Sequence, residues 1–188
     1  MGELIRADAV APQLWRNGGG QTRELLAWPS ADNCMLRIAL ADIDVDGPFS
    51  IYDGVERWIV VISGVGIDLS FSDGDRRLRL GDDPLRFDGA DAPDCRLLDG
   101  PTRDLNLMVQ GGVGVMRAVE AGVAWTEDNA MRGVFTTGSG GLVAGGEARG
   151  VPAMTLLWDE RANGVWTFEH DEPSAANQAW WLGFTPSE

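Results

Sequence analysis

Trp15-Arg16-Asn17-Gly18-Gly19-Gly20-Gln21-Thr22-Arg23-Glu24 passes from loop to strand within one short stretch, and the rest of the chain is read outward from it. Three consecutive glycines have no side chain to pack. They free the backbone for a positive φ, or for close approach of a neighbouring segment or a ligand. The next residues, 22–28, read as a strand with Thr22, Glu24 and Leu26 on one face. Loop and strand are expected to form one wall of a polar pocket, with the aromatic Trp15 and the amide Asn17 at its edge. The plainer alternative is a flexible turn before an edge strand. The glycine spacing is not that of a dinucleotide fingerprint, a strand rather than a helix comes after it, and no P-loop sequence occurs.

Downstream, short strand patterns recur. Residues 35–41 are apolar but for Arg37, whose parity groups it with Met35, Ala39 and Ala41. Residues 56–64 hold a β-branched run too short for a helix and closed by Gly64. Residues 66–71 alternate, Asp73-Gly74 is a hairpin turn, and 77–80 alternate again. Two shorter strands come next, at 85–89 and 95–100. Residues 104–110 then carry one polar face, Asp104 and Asn106, and one apolar face, Leu105, Leu107 and Val109. Either the polar face meets solvent, the default for a sheet packed on one side, or it lines the inside of a small barrel while the apolar face packs elsewhere. The second half is less regular, with strands expected at 113–121, 123–125, 139–146, 154–158, 164–168 and 179–184. No segment has the pattern of a long amphipathic helix. Many short strands separated by turn signals make an all-β sandwich or barrel.

A chain of 188 residues can bury roughly 70% of its unfolded surface. A net charge of −14 repels phosphate backbones and anionic lipid, so no nucleic-acid or membrane partner is expected. All 15 basic residues are arginine, which removes lysine Schiff-base and lysine-base chemistry. The acidic N-terminal residues read as neither an export signal nor a membrane span, so a cytoplasmic protein with Cys34 and Cys95 as free thiols is expected. His170 is the single histidine; it lies in the acidic run 169–172 and reads as a surface residue. One histidine excludes a histidine-rich metal site.

Taken in order, the 15–24 stretch, Asp46-Gly47-Pro48-Phe49-Ser50, Gly54 with Arg57, Phe87-Asp88-Gly89 and Asp104-Leu105-Asn106-Leu107-Met108 resemble the HutD/Ves family of bacterial cupins. The match spans roughly the first 110 residues. Ala39 departs from it: a serine is expected there, and if that serine touches ligand this chain has one hydrogen bond fewer. The resemblance implies a bicupin of two RmlC-like jelly-roll β-barrels. Residues 1–110 would form the barrel with the pocket, and residues 111–188 a degenerate second barrel packed tightly on the first. It also implies a regulator of histidine utilisation that binds a small pathway metabolite in the first barrel; with Arg57 there, a carboxylate of the urocanate or N-formylglutamate type is expected. In metal cupins a glutamate precedes the strand's glycine where Arg57 precedes Gly64. Arginine only donates and cannot ligate a cation, so the site is expected to take an anion, with no metal and no cofactor.

The candidate ligand-binding residues are Trp15, Asn17, Gly18, Gly19, Thr22, Glu24, Arg37, Phe49, Ser50, Arg57, Asp104 and Asn106. Arg57, with Arg37, would clamp the carboxylate. Arg57 itself needs a partner, Glu24 or Asp104 or the ligand, because an isolated interior charge is costly. Two other readings stay open. One is a metal-independent isomerase or hydrolase with Glu24 or Asp104 as general base. The other is an interaction protein presenting its eight tryptophans at an interface rather than in a core. A homodimer is compatible with all three.

Overall fold

The computed structural model describes residues 2–172 and 174–187. Strand β1 (Glu3–Arg6) is followed by β2 (Gln13–Leu14), β3 (Gly20–Pro29), β4 (Cys34–Ile43) and β5 (Gly47–Pro48). Next come β6 (Glu56–Ser63), β7 (Gly66–Phe71), β8 (Gly74–Arg79), β9 (Leu85–Asp88), β10 (Asp94–Leu97) and β11 (Thr102–Val109). The remaining strands are β12 (Gly112–Ala118), β13 (Met131–Thr136), β14 (Gly140–Ala144), β15 (Glu147–Val151), β16 (Thr155–Asp159), β17 (Trp166–His170) and β18 (Ala179–Pro186). Among the described residues the helical content is two three-residue 3-10 turns, Ala7–Ala9 and Gly89–Asp91.

The chain divides into two compact units. One is Val10–Gly111; the other combines the N-terminal residues up to Ala9 with the chain from Gly112 onward. The N-terminal strand β1 falls in the second of these units. β1 pairs antiparallel with β16, Leu4 opposite Leu157, because its apolar residues complete the edge of that sheet.

In the Val10–Gly111 unit a six-stranded sheet, ordered β2-β3-β4-β11-β6-β9, accompanies a four-stranded sheet, ordered β5-β10-β7-β8. Ile43, Ile59 and Val61 of the first sheet and Ile67, Leu69, Leu78 and Cys95 of the second form one buried cluster. Alternation explains the second sheet. Ile67 and Leu69 are fully buried, while Asp68 between them faces outward and pairs with its cross-strand neighbours Arg77 (2.7 Å) and Arg96 (2.7 Å). On the central strand β11 both faces are buried: Leu105, Leu107 and Val109 on one, Asp104 and Asn106 on the other.

The second unit carries a five-stranded sheet, β1-β16-β13-β18-β12, and a three-stranded one, β15-β14-β17. Trp125, Trp166 and Trp181 pack against one another in its core, Trp125 stacked on Trp181 at 5.3 Å. Five of the eight tryptophans are buried, which makes these core residues and not an exposed interface. Strands β13 and β15 have no clear sequence pattern. In β13 the charged Arg132 and Gly133 break the alternation. Gly133 is needed because a Cβ there would sit 2.6 Å from the Trp158 ring and the Leu157 carbonyl. Residues 123–125, expected as a strand, contribute one bridge, Trp125 to Trp166. His170 is not a free surface residue: it is half-buried on β17, with Nε2 3.1 Å from the Thr136 hydroxyl.

Candidate functional site

The β2–β3 hairpin builds one side of a cavity. Gly18 takes φ +71°, which glycine adopts without strain. The turn is closed by Gly18 N–H to the Trp15 carbonyl (3.0 Å) and Gly19 N–H to the Asn17 side-chain oxygen (3.0 Å). Gly20 lies against β4 so closely that a Cβ would fall 2.1 Å from the Asp42 carbonyl oxygen. The glycines therefore serve the turn and the close approach of β3 to β4. Gly18 and Gly19 are not among the residues that line the cavity. Trp15 Nε1 donates to Thr22 Oγ1 at 2.7 Å and folds the indole back over the strand.

Thr22 and Glu24 point into the cavity, but Leu26 does not share their face. The register of β3 against β4 slips between Glu24 and Leu26, so that Leu26 lies opposite Ile38. Such a bulge inserts one residue and reverses the parity of the residues beyond it. Across the sheet, Thr22, Ala41 and Asp104 form one row, and Glu24, Ala39 and Asn106 the next. Arg37, Met108 and Arg57 form a third. The polar face of β11 is thus inside the barrel-like space between the two sheets, the second of the two arrangements open from sequence.

The cavity has a volume of about 580 Å³. Ten of the twelve expected residues line it: Trp15, Asn17, Thr22, Glu24, Arg37, Phe49, Ser50, Arg57, Asp104 and Asn106. Ala39 lines it between Glu24 and Asn106, where a serine hydroxyl would have added a polar group. Sequence reasoning missed Arg16, Tyr52 and Met108 among the lining. Arg16 lies within the 15–24 stretch, Met108 two residues beyond Asn106 on the same strand face, and Tyr52, the single tyrosine, just after Ser50.

Arg57 is 7% exposed. Its guanidinium carbon lies 4.9 Å from the ring of Phe87, 5.0 Å from Phe49 and 5.6 Å from Tyr52. Rings at such distances attract a cation through their quadrupoles. Its Nε and Nη1 are buried without a hydrogen-bond partner. Glu24, one expected partner, is taken by Arg37, Nε to Oε2 at 2.9 Å, close enough for an ion pair though not aligned as a hydrogen bond. Asp104, the other, acts on Arg57 through space without an ion pair between them among the described residues. Burial pushes the Arg57 guanidinium down from its ordinary value, with Asp104 opposing; arginine nonetheless remains a cation. Asp104 is 1% exposed; burial pushes its carboxyl up to about 7, against a 3.3 Å hydrogen bond from Asn106 Nδ2 and the charge of Arg57.

The remaining motifs shape the cavity from behind. Asp88 accepts from Ala90 N–H at 2.9 Å, and Gly89 exchanges backbone bonds with Val55 and Tyr52. Phe87-Asp88-Gly89 thereby holds the Tyr52 loop against Arg57. Phe49 N–H is tied to the Pro93 carbonyl at 3.0 Å. A cation would find a poor home here, since Arg16, Arg37 and Arg57 line the space together and histidine and cysteine do not. Among the described residues no cluster of three or more His, Cys, Asp or Glu side chains could hold a metal ion.

Comparison with known proteins places this architecture. Residues 7–143 match the family model HutD. An uncharacterized 21.2 kDa protein from the region 3' of hutC in Pseudomonas putida is 35% identical over 108 residues, 56% of this chain and 57% of that protein. Protein Ves of Citrobacter koseri is 33% identical over 99 residues, 52% of each chain. The chain thus spans about half the length of the curated relatives it matches. HutD of Pseudomonas fluorescens SBW25 superposes with a TM-score of 0.84 at 24% identity, covering 100% of both chains. An oxalate decarboxylase of Bacillus subtilis shares the fold alone: TM-score 0.62, 10% identity, 100% of this chain and 78% of that one. The fold is all-β and cupin-like, and on the family match the chain belongs to the HutD family.

Proposed function

We propose that the Val10–Gly111 unit is a metal-free receptor for a small carboxylate of histidine utilisation, of the urocanate or N-formylglutamate type, and that its occupancy regulates that pathway. One observation carries this reading. Arg57 is a buried cation in an aromatic cage, lining the cavity, with two guanidinium nitrogens unpartnered. A buried cation without a carboxylate is costly. A ligand carboxylate would supply the partner, and the planar fork suits two oxygens at once. The cavity volume is ample for a molecule of that size. The Pseudomonas putida relative from the hutC region supports the pathway assignment. We read the chain as a cytoplasmic bicupin, each unit being a pair of antiparallel sheets. The tryptophan-filled core of the second unit supports its reading as the degenerate barrel.

Calorimetry and thermal shift with urocanate, N-formylglutamate and formate test the proposal. Formate is the first probe because the related Pseudomonas fluorescens HutD was solved in a formate condition. Binding that vanishes in Arg57→Lys, with the ligand recovered unchanged, is the expected result. Consumption of the ligand would replace the receptor with an enzyme. No binding by any of the three would remove the reading.

A further inference from the structure

Asp104 is the deepest charged group of the cavity and has no task in carboxylate recognition by Arg57. It sits at the middle of the six-stranded sheet, on β11 between β4 and β6. Its Oδ1 has no hydrogen-bond partner, and its Oδ2 receives only the long contact from Asn106. Ionised, it would place a second buried charge in a space whose free cation has to receive an anion.

The groups around Asp104 leave the charge balance to two residues. Glu24 of β3 and Arg37 of β4 are paired with each other. Asp42, on the opposite parity of β4, is taken by Arg23 at 2.8 Å and by Arg103. From the facing sheet, Cys95 on β10 remains a neutral thiol, burial and nearby carboxylates raising it to about 12. Tyr52 from its loop lies against the Arg57 guanidinium as an aromatic face, and Arg16 is exposed and screened by solvent. What remains is Arg57 and Asp104. With Asp104 ionised their sum is zero and an arriving carboxylate meets a buried like charge. With Asp104 protonated their sum is +1, the complement of a monoanion.

We infer that carboxylate binding in this cavity is coupled to the uptake of one proton by Asp104, so that the site binds the equivalent of the acid, its anion on Arg57 and its proton on Asp104. The balance is simple: one anion and one proton enter from solvent, and no covalent bond of the ligand changes. Burial already holds the carboxyl near neutrality, at about 7, so the coupling operates at ordinary pH. The protein then responds to the product of ligand and proton activity. The apparent Kd rises about tenfold per pH unit above the titration of Asp104 and is flat below it.

This inference rests on the carboxylate reading of the cavity, and two measurements separate their failures. Carbon NMR of protein labelled at the aspartate carboxyls follows Asp104 in the ligand-free chain, Asp104→Asn identifying its signal. A midpoint near neutrality is expected; a carboxyl that stays ionised down to about pH 5, close to its ordinary range, overturns the inference whatever binds. Formate calorimetry in buffers of different ionisation enthalpy then counts protons. Uptake approaching one per formate is expected at alkaline pH, with Asp104→Asn binding at a Kd that no longer changes with pH. Formate binding without proton uptake, or an Asp104→Asn variant with the wild-type pH slope, overturns the coupling and leaves the receptor standing. Absence of all carboxylate binding overturns both.

Discussion

Arg57 and Phe87 stand directly opposite each other on β6 and β9, with the guanidinium carbon 4.9 Å from the ring centroid. Phe87 also meets Phe71 edge-on at 5.3 Å. The ring therefore holds the cation from one side and is itself braced from the other. Phe87→Leu keeps an apolar side chain and removes the π face. A loss of about 0.5–2 kcal/mol is expected, read as a lower urea midpoint at an unchanged slope.

Arg57→Met should fold, because no protein carboxylate is ion-paired to this guanidinium, and Asp104, which it acts on through space, can hold a proton instead. Its melting temperature is expected within a few degrees of wild type, while carboxylate affinity falls by about 2–5 kcal/mol. Arg57→Lys should lose nearly as much, since an ammonium cannot present the planar fork. Calorimetry beside a melting curve checks both; wild-type affinity in folded Arg57→Met would dismiss Arg57 as the anchor.

Two aspartates give stability opposite pH dependences. Asp104 is raised to about 7, so between the ordinary carboxylate range and neutrality the native state holds a proton that the unfolded chain has released. Its stabilising effect is complete at the acid end of that window. It fades as pH rises to about 7, by at most about 1.4 kcal/mol per pH unit. For Asp42 burial pushes the carboxyl up, but hydrogen bonds from Arg103, Gln21 and Arg23 outweigh it and hold it at about 2. Its contribution is complete above the ordinary carboxylate range and disappears as pH falls towards 2. Urea midpoints across this range should flatten near neutrality in Asp104→Asn and at the acid end in Asp42→Asn.

The two thiols should differ in accessibility. Cys95 is 3% exposed, and burial first, then Asp104, Asp46 and Asp68, push it up to about 12. Cys34 is half-buried on β4, its Sγ 3.1 Å from the Leu36 carbonyl. Thiolate is the reactive form. Native protein is expected to titrate one thiol and unfolded protein two; rapid native labelling of Cys95 would contradict the packing of the facing sheet.

The glycines of the hairpin are unequal. Gly18→Ala meets open space and suffers only the positive φ, at a cost of about 1 kcal/mol. Gly20→Ala would drive a methyl into the Asp42 carbonyl of β4 and is expected to cost more, on the order of 2–3 kcal/mol. Melting curves of the two variants should rank in that order; equal loss would mean that β3 and β4 can separate there without penalty.

Local pattern was enough for much of this protein. Short runs such as Ile67 and Leu69 about Asp68 made the strands legible, because alternation is a property of neighbouring residues alone. The motifs named ten residues that the fold brings to one cavity, since each lies on a strand face or turn whose parity can be counted. Where parity breaks, the count fails. The bulge at Leu25 turned Leu26 to the other face, and bulges depend on the partner strand. The irregular β13 was hidden because Gly133 answers to Trp158, a neighbour distant in sequence. Tertiary structure alone decided which way β11 turns its polar face and which carboxylate Arg37 takes. The same is true of Arg57, left among three rings with Asp104 near it and unpaired. Those outcomes depend on distances between strands far apart in the chain, and burial and charge at such distances are set only when the sheets close on each other.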